Sequence, residues 1–333
     1  MINRSNDERP PDQINVVHHR RDCRVCRAQT LPVVLPLEPI PVASPNIKMD
    51  AQGATAAADL GLAPLHIYRC DACGHIQLLD VLEPSFQYNN FQYTTSISKG
   101  LVEHFKSQLA DTESRIEGLA NKFVLEIGSN DGTLLNMFRE KGARVLGIDP
   151  AQKAAAIANQ RGIETMCDFF SPEIAQVLSE KRGKPDVIIC NYTLANIDNL
   201  DDFGRGMKVL LAQGGVISVE TSYGADVIKH TLIDTIYHEH LSYFLVGSLR
   251  TFFRRFDLDV VDVEHIATKG GSIRSTIMHK EDVLNYSNSV DRFIRQESES
   301  NFDIEVPYEA FMKRMREIEY SLRDFIRKQR NSG

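Results

Sequence analysis

The middle of the chain constrains the fold most. Between Phe123 and Glu220, short apolar runs alternate with amphipathic stretches. FVLEIG (123–128), ARVLGID (143–149), IETMCDFF (163–170), PDVIICN (185–191) and VISVE (216–220) read as strands. GTLLNMFREKG (132–142), AQKAAAIANQRG (151–162), SPEIAQVLSEKRG (171–183) and DDFGRGMKVLLAQGG (201–215) read as the helices between them. These strands are too uniformly apolar for a sheet with one wet face. The alternation therefore predicts an α/β, Rossmann-like unit: a parallel sheet covered by helices on both faces. In such open sheets the ligand crevice lies at the carboxyl ends of the strands.

The flanks read differently. From Ser98 to about Leu119 the pattern is helical, with Leu101, Val102, Phe105, Leu109 and Ile116 on one face. LDVVDVEHI (258–266) and SIRSTIMHK (272–280) read as a terminal antiparallel hairpin. Pro307 to Arg330 reads as an amphipathic helix, with Phe311, Met315, Ile318, Leu322 and Phe325 on one stripe. Residues 21–97 are Pro-rich and irregular, and DAQGATAAADLGLAP (50–64) reads as a flexible loop. The expected organisation is a disordered arm over 1–20 and a small module over 21–97. An α/β domain over 98–285 and a helical extension over 286–333 follow. No internal repeat is visible.

A chain of 333 residues suffices for two or three domains. Net charge of −7 and the lack of a basic stripe argue against nucleic-acid binding, which needs cations to displace counterions from phosphates. No apolar run approaches the ~20 residues that span a bilayer. The N-terminus lacks the apolar segment of a signal peptide. The expectation is a cytoplasmic protein, monomeric or dimeric, acting on a small molecule without a membrane.

Four of the six cysteines form two C-x-x-C pairs, Cys23–Cys26 and Cys70–Cys73. Two residues between thiolates let a tight turn aim both sulfurs at one ion, and two such turns complete a tetrahedral four-cysteine zinc site. Gly74 suits the second turn. With four protein ligands the Zn2+ would be structural, and His66 and His75, though near in sequence, are not needed. A redox dithiol is the competing reading. Cys167 and Cys190 lie at strand ends and are expected as buried, inert thiols.

Glu126-Ile-Gly-Ser-Asn-Asp-Gly132 joins the first strand to the first helix. Gly128 and Gly132 are four apart, so the G-x-G-x-x-G dinucleotide spacing is absent. An acidic residue at the strand end fits a pyrophosphate poorly and a cationic amino group well. S-adenosyl-L-methionine (SAM) carries an ammonium and a sulfonium. Asp149 ends the second strand, where a carboxylate can accept from both ribose hydroxyls. Asp168 is expected to end the third strand, where a carboxylate could read an adenine amine, and Asn191 ends the fourth strand. Glu126, Gly128, Asn130, Asp131, Asp149, Asp168 and Asn191 are the candidate cofactor residues. A plain turn binding NAD or nothing is the competing reading.

DTIYHEHLSYF (234–244) packs two histidines, a glutamate and two tyrosines together. H-E-H lacks the i, i+4 spacing of the H-E-x-x-H zinc motif. Taken in order, Cys23–Cys26 with Cys70–Cys73, FQYTTSIS (91–98), EIGSNDGTLL (126–135), GIDPA (147–151), IYHEHLSYF (236–244) and KGGSIR (269–274) resemble the SAM-dependent sugar C-methyltransferases. The similarity is greatest to the dTDP-4-keto-deoxysugar C-3 methyltransferases of antibiotic sugar biosynthesis. That resemblance implies a class I SAM methyltransferase domain behind a zinc module that touches the substrate. It implies methylation beside a ketone through an enolate, with His240 as general base. Tyr237 would hydrogen-bond the keto oxygen, Tyr93 would reach the sugar, and Glu239 is the candidate for orienting the base. His238 is expected in a supporting role.

Gly270-Gly271-Ser-Ile-Arg274 reads either as a tight turn into an edge strand or as a border of the sugar-nucleotide pocket. Two departures matter. Asn196 stands where the family commonly has His, and Asn cannot shuttle a proton at pH 7. Family members continue into a third domain, whereas this sequence stops at RKQRNSG (327–333). Methylation of another small molecule at O or N, and a binding module without turnover, are the rival readings.

Overall fold

The computed structural model describes residues 17–42, 61–89 and 91–331. Its N-terminal module is made of short strands: β1 (Val17–His19), β2 (Val33–Leu35), β3 (Ile40–Pro41), β4 (Leu62–Ala63), β5 (Ile67–Arg69), β6 (Ile76–Leu78) and β7 (Asp80–Leu82). β1 pairs with β7, and β3 with β4. The disordered arm expected over 1–20 is corrected at its end, because Val17–His19 is a paired strand whose His19 bonds Asp80 at 3.0 Å. Residues 1–16 lie outside the described residues. So does most of the loop expected over 50–64, although Leu62–Ala63 is a strand.

The α/β unit follows the expected order. Helix Lys99–Arg115 leads into β8 (Phe123–Ile127), helix Thr133–Glu140, β9 (Arg144–Ile148), helix Gln152–Gln160 and β10 (Thr165–Met166). Helix Pro172–Arg182, β11 (Val187–Asn191), helix Leu200–Leu210 and β12 (Val216–Ser222) complete the alternation. After a short β13 (Ser242–Tyr243) come helix Val246–Arg254, β14 (Leu258–Ile266) and β15 (Ser272–His279). The seven-stranded sheet runs β10-β9-β8-β11-β12-β15-β14. Its first five strands are parallel, and β15 lies antiparallel between β12 and β14. Every residue of β8 and β11 is buried, as an apolar strand between two helix layers requires. The order reverses between β8 and β11, and that switch point is where a crevice opens.

β15 is thus an interior strand, which corrects the edge-strand reading of 270–274. The module boundary at 97 also hides a graft. β13, from the histidine segment, pairs with β6 and completes a four-stranded sheet ordered β13-β6-β5-β2. Helix Asn288–Glu299 sends the buried Glu297 carboxylate to the backbone N–H groups of Val246 and Gly247, at the start of helix Val246–Arg254. Helix Val306–Asn331 buries Phe311 and packs Met315 on the core. Its stripe is covered only there: Ile318, Leu322 and Phe325 are 50–58% exposed. Among the described residues no helix is long and apolar enough to cross a membrane.

Candidate functional site

Two turns bring the four cysteines together. Cys23 N–H bonds Ala28 O and Arg27 N–H bonds Cys23 O; Cys70 N–H bonds His75 O and Gly74 N–H bonds Cys70 O. Arg27 (φ 66°) and Gly74 (φ 72°) take the same left-handed position in the two turns. The sulfurs all lie within 4.8 Å of one another, with Cys23–Cys73 at 3.6 Å and Cys26–Cys70 at 3.5 Å. Tetrahedral thiolates around zinc sit about 3.8 Å apart, given a Zn–S bond of roughly 2.3 Å. The cluster fits one metal ion. His75 is buried elsewhere, between Ser242 and Ser248, and burial pulls its imidazole down to about 3. Cys190 is buried as expected. Cys167 is exposed, a correction, because its strand ends at Met166 and the next residues run out over the surface.

A cavity of about 720 Å³ opens at the carboxyl ends of β8, β9 and β11. One arm is acidic. Glu126, Asp149 and Asp168 line it, with Gly128, Asn130 and Asn191. Glu126 is 3% exposed, and its Oε2 has no hydrogen-bond partner. Burial first, then Asp149 and Asp131, hold its carboxyl well above the usual range. Such a group fits a cationic ligand. Gly128 (φ 75°) could not be replaced simply, since a Cβ would lie 2.1 Å from Thr193 Oγ1. Asp149 accepts from the N–H of Asn130 and Ala151, both at 2.8 Å, and so fixes the turn while facing the cavity.

Other candidates on this arm are tied to protein. Asn130 accepts from Thr95 N–H at 2.8 Å and donates to Tyr93 O at 3.0 Å, fastening the FQYTTS segment over the turn. Asn191 and Gln108 exchange two amide hydrogen bonds. Asp131 is not on the cavity wall: it is fully buried and holds Ser96 N–H, Thr133 Oγ1 and Arg161. Burial opposes its charge, but those bonds outweigh it and keep the carboxyl below its usual value.

The other arm holds Tyr93, Tyr237, Glu239 and His240. The histidine segment is a turn, closed by His240 N–H on Tyr237 O at 3.0 Å, so Tyr237 and His240 face each other. Their rings lie 4.3 Å apart, and Tyr237 Oη is 3.2 Å from His240 Nε2. His240 Nδ1 sits 2.7 Å from Thr235 O, a pure acceptor, which places the proton on Nδ1 and leaves Nε2 with its lone pair. The group orienting the ring is therefore a backbone carbonyl and not the Glu239 carboxylate. Burial lowers the pKa of His240, with Lys269 acting in the same direction. Burial raises Glu239. Burial first, then Glu239 and Asp234, push Tyr237 up to about 12. His238 is buried and bonds Pro64 O at 2.9 Å. Arg274 stays off the wall, buried against Glu220 at 3.1 Å.

Sequence reasoning missed Tyr88, Phe91, Tyr192 and Lys269, all on the wall. Lys269 stood within the KGGSIR motif, where the glycines drew attention instead. Asn196 is on the wall, and its Oδ1 is buried without a partner.

A family model described as a methyltransferase domain matches residues 101–263. The matched stretch is just under half of the chain. The sheet order and this match identify its fold as the Rossmann-like class I methyltransferase fold. A second model, described as a C-methyltransferase C-terminal domain, matches residues 267–333. The chain is similar to the C-methyltransferase NovU of Streptomyces niveus, 33% identical over 259 residues, which are 78% of this chain and 61% of NovU. It thus spans less than two thirds of that relative. A ubiquinone biosynthesis O-methyltransferase of Bordetella bronchiseptica is 30% identical over 105 residues, 31% of this chain and 44% of that protein. Among solved structures, the magnesium protoporphyrin IX methyltransferase of Synechocystis with bound SAM aligns at 14% identity and a TM-score of 0.39. That alignment covers 57% of this chain and 86% of the other.

Proposed function

We propose that this protein is a SAM-dependent C-methyltransferase acting beside a ketone, at C-3 of a nucleotide-linked 4-keto-deoxysugar. One observation carries the reading. A histidine with its proton locked on Nδ1 and its Nε2 lone pair directed at Tyr237 shares a cavity with an unpartnered buried carboxylate suited to a cation. An O- or N-acceptor needs little basicity from its enzyme, whereas a carbon acid needs a positioned base. The similarity to a C-methyltransferase supports carbon as the acceptor.

Glu126 would pair the ammonium of SAM, Asp149 the ribose hydroxyls and Asp168 the adenine amine. When bound, SAM supplies an electrophilic methyl group. Tyr237 moves its hydrogen bond from Nε2 to the incoming carbonyl oxygen, and His240 Nε2 takes the α proton. Tyr93, 41% exposed on the rim, meets the sugar from the N-terminal module. Residues 21–97 are read as a zinc-held unit that closes the substrate arm, with a structural Zn2+ on Cys23, Cys26, Cys70 and Cys73.

The test is exchange of the substrate α proton in deuterated water, with dTDP-4-keto-6-deoxyglucose as the probe. The wild-type protein should catalyse exchange, and His240→Asn should slow it by about 100-fold or more, the usual contribution of a general base. A variant that exchanges at the wild-type rate would remove His240 from the mechanism.

A further inference from the structure

We propose that Lys269 is a further catalytic residue, whose ammonium stabilises the negative charge that develops on the acceptor oxygen when His240 removes the α proton. This rests on the C-methylation reading above and deepens it.

Charge gives the first argument. Glu83, Glu126, Asp149, Asp168, Asp198 and Glu239 all line the cavity, whereas Lys269 is the one lysine or arginine among the described residues on its wall. An enolate formed among those carboxylates needs a cation, and no other described residue on the wall provides a permanent one. Tyr237 does not fill the role unaided, because burial and the neighbouring carboxylates keep its hydroxyl neutral, and a neutral donor holds an anion less strongly than a charged one.

Placement gives the second. Lys269 precedes β15, on the same wall as Tyr237 and His240, and its Nζ stands 3.7 Å above the Tyr192 ring. Tyr192 is itself pinned: its hydroxyl donates to Glu220 Oε1 at 2.7 Å and meets Thr268 Oγ1 at 2.6 Å. Glu220 is fully buried and also holds Arg274 and His104. A chain of fixed contacts thus runs from the sheet interior to the ammonium. Lys269 (φ 54°) and Tyr192 (φ 52°) both hold the left-handed backbone conformation that non-glycine residues rarely adopt. Strained residues of this kind concentrate at functional sites. Desolvation by burial lowers the pKa of the ammonium, and Glu220 on β12 acts in the opposite direction and favours its charge. A cation held in place before the reaction stabilises a developing anion more than water does.

The step balances without a further reactant. The C–H bond breaks, its proton goes to His240 Nε2, its electron pair forms the carbon–carbon double bond, and the carbonyl π pair moves to the oxygen facing Lys269. Lys269 keeps its protons throughout.

The test compares Lys269→Met and Lys269→Arg with the wild type. α-Proton exchange is read on dTDP-4-keto-6-deoxyglucose, and affinity for S-adenosylhomocysteine serves as the check on folding. Met should slow exchange by about 100-fold or more, the usual loss for one oxyanion donor, and leave S-adenosylhomocysteine affinity unchanged. Arg should restore part of the rate. The groups facing His240 are Tyr237, the Thr235 carbonyl and Lys269. Removing the cation from that set should move the acid limb of the pH profile upward in Met but not in Arg. Three results overturn the proposal: Met exchanging at the wild-type rate, Arg and Met equally impaired, or S-adenosylhomocysteine affinity falling in step with the rate. A wild type that binds S-adenosylhomocysteine but never exchanges the proton overturns the C-methylation reading itself, a distinct outcome.

Discussion

An imidazole is a useful base only when one nitrogen has lost its proton and faces the substrate. At His240 the Thr235 carbonyl makes that choice, since it can only accept. Burial and the Lys269 charge then keep the ring neutral, holding its pKa below the ordinary 6.5. The sign follows directly. A base with a depressed pKa stays deprotonated to lower pH, so the acid limb of kcat/KM should fall below pH 6.5. A limb well above that value would mean that His240 carries a proton the structure does not allow for. Much of this residue set was legible in the sequence. His240 and Tyr237 are three apart, and a turn brings them to one side. Glu126 and Asp149 were legible because strand ends converge on one crevice. Thr235 was not, because its role lies in a backbone carbonyl that any residue would offer. Lys269 was not, because a lone lysine before two glycines looks like an ordinary turn.

The histidine segment belongs to the α/β domain in sequence and to the cysteine module in space, through β13 on β6. Arg24, between the first two cysteines, is fully buried and joins the parts. It donates to Asp198 at 3.0 Å, to Gln77 at 3.2 Å, to Leu78 O and to Leu241 O at 3.3 Å. Leu241 follows His240 directly, so the cysteine turn reaches the proposed base through one side chain. Breaking a buried charge pair typically costs about 3–5 kcal/mol. Arg24→Met should therefore lower stability to urea by about that amount and slow exchange in the fraction that stays folded. A loss under about 1 kcal/mol, with full activity, would show that the turn and the base are independent. Alternating strands and helices were readable from periodicity, which is local. The graft of β13 was not, because Ser242 pairs with Gln77 across a long stretch of chain and such a pairing leaves no periodic trace.

At the scale of the molecule, the cavity is assembled from segments far apart in sequence: 83–88 and 91–95 from the module, the strand ends of the α/β unit, and 237–240 with Lys269. The acidic arm suits a cationic cofactor, and the histidine arm suits a carbon acid. The stripe on helix Val306–Asn331 teaches a different lesson about legibility. The heptad-like spacing marked an apolar face, but spacing does not say what covers it, and beyond Met315 that face is exposed. Carbon as acceptor is the claim from which the roles of His240, Tyr237 and Lys269 all follow. The direct test supplies SAM labelled with carbon-13 in its methyl group and follows the label into dTDP-4-keto-6-deoxyglucose by NMR. The account predicts a product methyl joined to a ring carbon next to the ketone, seen as a one-bond carbon–carbon coupling. A label found on oxygen or nitrogen would contradict it.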